Sequence, residues 1–145
     1  MKLSPHFSLS ELTASQTAIR RGIDNTPPPD VVETLKRTAL GLEGVRSVLG
    51  SPVIISSGYR SPALNRAIGG AGRSQHTLGE AADFICPGYG SPLEVCRAIV
   101  KAGIGFDQLI HEGTWVHISF TQKPRGQVLT AHFNVSGVSY TRGLA

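Results

Sequence analysis

The sequence is poor in features that mark several specialised classes of protein. Its 145 residues include two cysteines, one tryptophan and one methionine, and aromatic residues make up only 6% of the chain. So few cysteines exclude a disulfide scaffold, and so few rings leave little to stack on exposed bases. No apolar run is long enough to span a bilayer, so we expect no membrane insertion. Residues 1–6 lack the apolar stretch of a signal peptide, and we expect synthesis in the cytoplasm.

The charges and the cysteines indicate which kinds of partner and of cysteine chemistry to expect. Charged residues make up 17% of the chain, with a net charge of +4. The basic residues are scattered, which favours an anionic partner other than nucleic acid, although a basic nucleic-acid protein is the rival interpretation. Cys86 and Cys96 lack metal-type Cys-x-x-Cys spacing. We predict that both are small core residues, with a disulfide between them as the alternative.

The pattern of apolar residues and turn signals predicts one α+β domain over residues 1–145. Proline and serine starts, helical spacing and terminal glycines predict helices over 9–15, from about 26–30 to 49, over 61–68 and over 91–103. Strands are predicted over 53–55, 81–85, 106–112, 115–120, 128–133 and 138–141. Because several of these strands meet in hairpins, we predict an antiparallel sheet flanked by helices.

Two histidines and an aspartate have the chemistry of a metal site. His76, Asp83 and His117 lie in two short segments, Ser-Gln-His-Thr-Leu-Gly-Glu-Ala-Ala-Asp and Trp-Val-His-Ile-Ser. Two imidazoles and a carboxylate hold Zn²⁺ and leave a position for water, whose pKa the metal lowers towards neutrality. Gly79 lets the chain reverse direction between His76 and Asp83. The alternative is a buried Asp83 paired with Arg60, beside two unrelated histidines.

The second segment belongs to a predicted hairpin. Residues 106–112 and 115–120 read as strands joined by a two-residue Gly-Thr loop, which suits a type II′ turn. The expected cross-strand pairs are Glu112–Trp115, Ile110–His117 and Gln108–Ser119.

This register places several polar side chains together. Side chains alternate between faces along a strand, so Gln108, Glu112, Trp115 and His117 are predicted to share a face and His111 to lie opposite. Glu112 is then a diagonal neighbour of His117, where its carboxylate can take a proton from water and pass it to a leaving amine. The alternative is an exposed turn glutamate. For Trp115 the alternatives are that it lines a substrate pocket or that it only packs against other side chains. For Gln108 they are a hydrogen bond to a ligand or one to the backbone.

A longer pattern contains the same three residues. It consists of Ile-Ser-Ser-Gly-Tyr-Arg-Ser-Pro at 55–62, Asn65, Gly69-Gly70, Ser-Gln-His at 74–76, Asp83 and Trp-Val-His at 115–117. From about Phe7 to Phe120 the chain resembles the zinc D-alanyl-D-alanine carboxypeptidase family. That family includes cell-wall carboxypeptidases, vancomycin-resistance D-Ala-D-Ala dipeptidases and phage L-alanyl-D-glutamate endolysins. The resemblance implies a fold like that of the Hedgehog domain and the DD-peptidases.

The resemblance also implies roles for individual residues. It implies that His76, Asp83 and His117 hold one zinc ion, that Arg60 contacts substrate and polarises its carbonyl, and that Ser74 helps hold the peptide.

The sequence departs from the family at one catalytic position. Many members carry the catalytic acid three positions before the last histidine, where this chain has Thr114. Glu112 is the nearest acidic residue, and the hairpin register explains how it can serve.

The resulting hypothesis is a monomeric zinc peptidase of phage or prophage origin that cleaves an amide in the peptide stem of peptidoglycan. It is expected to act at the bacterial wall after release or as part of a virion. Which bond is cut, and whether cleavage is of the carboxypeptidase or endopeptidase type, stays open. The alternative is a non-catalytic wall-binding or virion structural protein on the same fold, since Hedgehog domains show that such a site need not imply turnover.

Overall fold

Within residues 1–144, the helices all lie before residue 103, and four strands follow one another after it. The computed structural model describes residues 1–144. The helices are α1 (Leu9–Thr13), α2 (Gln16–Arg21), α3 (Pro29–Leu49), α4 (Pro62–Ala67) and α5 (Pro92–Ala102), with a 3₁₀ turn at Gln75–Leu78. The strands are β1 (Lys2–Ser4), β2 (Phe7–Ser8), β3 (Ile54–Ser57), β4 (Ala81–Ile85), β5 (Gln108–His111), β6 (Val116–Ser119), β7 (Gln127–Asn134) and β8 (Gly137–Arg142).

The helices begin and end at the signals that the sequence provides. α5 starts with a capping box between Ser91 and Glu94, and its last residue is followed by Gly103 in the left-handed conformation. The helices predicted around α1, α3, α4 and α5 are confirmed. The short α2 and the small β1–β2 hairpin were not predicted, because neither has an apolar pattern long enough to register.

The main sheet has the strand order β3-β4-β6-β5-β7-β8. Its pairs are antiparallel except β5–β7, which is parallel, so the prediction of a purely antiparallel sheet is wrong at this pair. The reason is the route of the chain: after β6 the segment 120–126 passes β5 and starts β7 on its far side. The chain reverses direction between β5 and β6 and again between β6 and β7, so β5 and β7 run in the same direction.

The two faces of this sheet differ. Phe84, Leu109, Val116 and Ile118 lie on one face and are buried in a core shared with residues of α3 and α5. Because side chains alternate, Asp83 and His117 lie on the opposite face. The helices therefore stabilise one side of the sheet and leave the other side for a site.

Both cysteines lie in the core. Cys86 and Cys96 are buried free thiols, as predicted, and the alternative of a disulfide is wrong. Burial raises the pKa of the Cys96 thiol to about 12, which keeps it protonated. Within residues 1–144, no helix is both long enough and apolar enough to cross a membrane.

Asp107 links two segments through hydrogen bonds: residues 120–126, called here the crossing segment, and the 3₁₀ turn that carries His76. Its buried carboxylate accepts hydrogen bonds from the backbone N–H, Nε and Nη2 of Arg125, the last at 2.7 Å, and from Nε2 of Gln75 at 2.9 Å. The side-chain hydrogen bonds from Arg125 lower the pKa of Asp107 to about 2. The carboxylate therefore has to be charged to hold these segments together.

We expect Asp107→Asn to destabilise the fold by about 2 kcal/mol, because a buried amide cannot accept from the same set of donors. The folded pKa lies below the ordinary value of 3.8, so the ionised carboxylate stabilises the protein above about pH 4. That stabilisation is lost as the pH falls towards 2. Urea unfolding at several pH values should show that the free energy of unfolding falls more steeply with decreasing pH in the wild type than in the variant.

The control for this prediction is Asp30→Asn, at an exposed position in the first turn of α3. It should change stability by less than about 1 kcal/mol. Equal acid sensitivity in the wild type and in Asp107→Asn would show that the Asp107 carboxylate does not stabilise this crossing.

Candidate metal centre

Three side chains converge on the open face of the sheet. One potential ligand atom from each of His76, Asp83 and His117 lies within 4.8 Å of the other two. Asp83 Oδ1 is 2.9 Å from His117 Nδ1 and 3.3 Å from His76 Nε2. Among residues 1–144 no other group of three or more such side chains meets the same test.

Sheet pairing brings Asp83 to His117. β4 runs antiparallel to β6, and the two residues are direct cross-strand partners on the same face. The pairing within the β5–β6 hairpin matches the expected register, with Gln108 opposite Ser119 and Ile110 opposite His117. At the turn, the Thr114 N–H donates to the Glu112 carbonyl.

His76 comes from the 3₁₀ turn that precedes β4. Its Nδ1 lies 2.7 Å from the carbonyl oxygen of Gly58. A carbonyl can only accept, so Nδ1 carries a proton, and in the neutral ring this leaves Nε2 as the nitrogen that can bind a metal ion. Gly79 ends the turn with φ +78°, and this conformation, which L side chains rarely adopt, lets the chain reverse into β4.

Gly58 has a steric reason to be glycine. A Cβ at this position would lie 2.3 Å from the backbone oxygen of Leu12. Any side chain would displace the carbonyl that fixes His76. The Ser-Gly-Tyr-Arg segment thus sets the ring orientation of a residue that follows it in the chain.

Asp83 has the charge of a ligand. Although its burial acts in the opposite direction, hydrogen bonds with His117 and His76 hold the pKa of Asp83 well below its usual range. Its other oxygen lies 3.5 Å from Nη2 of Arg60. The pairing of Asp83 with Arg60 is therefore present together with the histidine cluster, rather than in place of it.

The cluster lies in a cavity of about 850 Å³. All the residues predicted for the site line it, namely Arg60, Ser74, His76, Asp83, Gln108, Glu112, Trp115 and His117. Glu112 is only 8% exposed, so the alternative of an exposed turn glutamate is wrong. Burial, with repulsion from Asp83, raises the pKa of the Glu112 carboxyl.

A comparison with known families agrees with this geometry. The sequence model of the family described as peptidase M15 matches residues 5–119, most of the chain. The chain belongs to the peptidase M15 family. A search of curated proteins gives no significant match. The resemblance to zinc D-alanyl-D-alanine carboxypeptidases is thereby confirmed at the level of the family.

Membership of peptidase M15 indicates a zinc metallopeptidase. The donor set fits such an ion: two imidazole nitrogens and a carboxylate oxygen converge, and the second nitrogen of His76 is fixed by a carbonyl. The roles of the individual residues in an M15 reaction stay predictions.

The polar residues around the cluster already have partners. Arg60 donates from Nε to Ser57 and from Nη1 to Asn65, and Ser74 accepts from the His76 N–H as the cap of the 3₁₀ turn. Gln108 donates to Gln127 rather than to the backbone. These contacts hold the cavity walls in place.

The other histidines and Thr114 lie outside the cavity. Among the histidines, His6 bonds Glu43 and His132 bonds Thr141, both at the surface. His111 does not line the cavity. Thr114, at the position where many family members have an acid, is exposed in the turn and does not line it either.

The cavity also contains residues that the sequence pattern does not predict to be part of the site. Leu129, Phe133 and Tyr140 line the cavity, and Trp115 contacts Phe133 with ring centroids 6.2 Å apart. The alternating pattern of the last two strands predicted a hairpin but not its neighbour in the sheet. Pairing between β5 and β7 places this hairpin beside the metal centre.

Proposed function

We propose that the protein is a zinc-dependent peptidase that hydrolyses an amide bond in the peptide stem of bacterial peptidoglycan. The observation that carries the proposal is the convergence of His76, Asp83, His117 and a buried Glu112 on one cavity. The whole chain is proposed to act as one domain, with the fold of the DD-peptidases. Membership of peptidase M15 supports both the reaction and the substrate class.

His76, Asp83 and His117 would hold the zinc ion. When bound, zinc acts as a Lewis acid on a carbonyl and lowers the pKa of a water molecule. The Glu112 carboxylate takes a proton from the attacking water as the water oxygen bonds to the carbonyl carbon of the substrate. It then gives a proton to the amide nitrogen as the C–N bond breaks, which balances the hydrolysis.

Arg60 is proposed to steady the negative charge that develops on the substrate oxygen. Its guanidinium is held by Ser57 and Asn65, and a fixed donor is more effective than one that must reorient. Ser74, Gln108 and Trp115 line the cavity and are proposed to position the peptide.

We further propose that the protein is of phage or prophage origin and cleaves the wall as an endolysin does. The support is the resemblance of the sequence to a family that includes phage L-alanyl-D-glutamate endolysins. A net charge of +4 favours contact with the anionic wall polymer.

The direct test is digestion of purified muropeptides by the zinc-loaded protein, followed by mass spectrometry of the products. We expect one amide to be cleaved, with cleavage lost in chelator and restored by zinc. The masses also identify the bond and separate carboxypeptidase from endopeptidase cleavage. Zinc-loaded protein that binds muropeptides but leaves them intact would instead support the non-catalytic wall-binding alternative.

A further inference from the structure

The β7–β8 hairpin adds a wall to the metal centre from outside the family match. The match ends at residue 119, whereas this hairpin covers 127–142. In its register Phe133 pairs with Val138 and Ala131 with Tyr140, so these four side chains share one face. Phe133 and Tyr140 line the same cavity as the three metal-binding side chains.

This face is apolar but largely open. Phe133 is 58% exposed and Tyr140 is 48% exposed. The opposite face of the hairpin carries His132, Ser139 and Thr141, which is ordinary for a solvated strand surface. Large apolar side chains that stay open beside a cavity stabilise the fold little, and such patches commonly contact ligands.

Phe133 and Tyr140 form an aromatic wall of the cavity, and this wall contacts the β5–β6 hairpin. Trp115 and Phe133 are in tilted ring contact, so the two hairpins meet above the cavity. A peptide that enters the metal centre along this side has to pass both rings. Its small alkyl side chains would bury apolar area against them.

The Tyr140 hydroxyl is free to contact such a peptide. Within residues 1–144 it makes no hydrogen bond. Burial, with the negative charges of Glu112 and Asp83, raises the pKa of Tyr140, so the hydroxyl stays protonated near neutral pH. It is therefore available as a donor within the field of the two site carboxylates.

We propose that Tyr140 and Phe133 are substrate-positioning residues, in which the Tyr140 hydroxyl donates a hydrogen bond to a backbone carbonyl of the stem peptide and the Phe133 ring packs on its alanine methyl groups. This inference rests on the proposed function and deepens it. The hairpin contributes to binding of the peptide and leaves the metal ligands untouched.

Binding can be followed without catalysis because Trp115 is the only tryptophan in the chain and lines the cavity. A soluble muramyl pentapeptide is titrated into zinc-loaded protein carrying Glu112→Gln, and Trp115 fluorescence gives the Kd. Adding Tyr140→Phe should raise the Kd about 5- to 10-fold, the effect of one lost hydrogen bond. Adding Phe133→Ala should raise it by a similar factor.

Two control variants match these side chains. Tyr89 is 44% exposed and lies away from the cavity, so Tyr89→Phe should leave the Kd unchanged. Val135 is exposed at the tip of the same hairpin and does not line the cavity, so Val135→Ala should also leave it unchanged. Zinc content and thermal midpoint should stay at the parent value in all four variants.

The outcomes separate this inference from the proposed function. If the wild type cleaves muropeptides but Tyr140→Phe and Phe133→Ala bind within twofold of the parent, the inference is overturned and the proposed function stands. If the zinc-loaded protein neither binds nor cleaves muropeptides, both are overturned. A raised Kd in the two variants, but not in their controls, supports the positioning role.

Discussion

Replacing Glu112 by glutamine is expected to lower kcat for muropeptide hydrolysis by about 10³-fold, within the range that general acid–base groups contribute. Glutamine keeps the size and the hydrogen-bonding shape of the side chain but cannot take a proton from water. Glu112 is buried in the wall of the cavity that holds His76, Asp83 and His117, and burial raises its pKa above the ordinary value. Zinc content should stay at one ion per chain, because Glu112 is not one of the three converging ligands.

The matched control is Glu33→Gln on the exposed face of α3. The Glu33 side chain is 71% exposed and pairs with Lys36 at the surface, so this variant should hydrolyse at the wild-type rate. Rates are measured by chromatography of muropeptide products, and zinc by elemental analysis of the same samples. If Glu112→Gln keeps more than a tenth of the wild-type kcat, another group moves the proton and the assignment is wrong.

The position of Glu112 could be predicted from the sequence because its cause is local. A two-residue loop fixes the pairing of the flanking strands, and this pairing decides which side chains share a face. The structure confirms the register at Gln108–Ser119 and Ile110–His117. For the same reason it was predictable that His111 would lie on the other face.

The parts of the site that were not predictable depend on contacts between distant segments. No local pattern indicates that β4 pairs with β6 and so places Asp83 opposite His117. The carbonyl of Gly58 that orients His76 is a second such contact. The aromatic wall is a third, because it depends on the parallel pairing of β7 with β5 across a strand that lies between them in sequence.

The parallel pair also shows why a correct set of strands can give an incomplete sheet. A prediction from hairpins assumes that strands consecutive in sequence pair with each other in the sheet. This holds for β5–β6 and for β7–β8. It fails at the connection from β6 to β7, where Asp107 holds the crossing segment through Arg125. The sequence marks this connection only by an aspartate just before β5, and aspartate is common in ordinary turns.

Replacing His76 by alanine is expected to remove the metal. With three protein ligands, loss of one should weaken zinc binding by about 10³-fold or more, since each ligand supplies a large share of the binding free energy. His76 is 3% exposed and its Nε2 faces Asp83 Oδ1, so in a rigid site no neighbouring side chain replaces it. Zinc content after dialysis should fall from about one ion per chain to near zero, and hydrolysis should fall with it.

His132→Ala is the control for this loss, because His132 bonds Thr141 at the surface, away from the cluster, and its removal should leave zinc content unchanged. The His76 variant must also be shown to fold, which circular dichroism can establish. Its loss of activity should not be restored by zinc at concentrations that reactivate chelated wild type. This distinguishes it from Glu112→Gln, which keeps zinc but not turnover. If folded His76→Ala retains one tightly held zinc, the ion is bound elsewhere, and the geometry of His76, Asp83 and His117 has another cause.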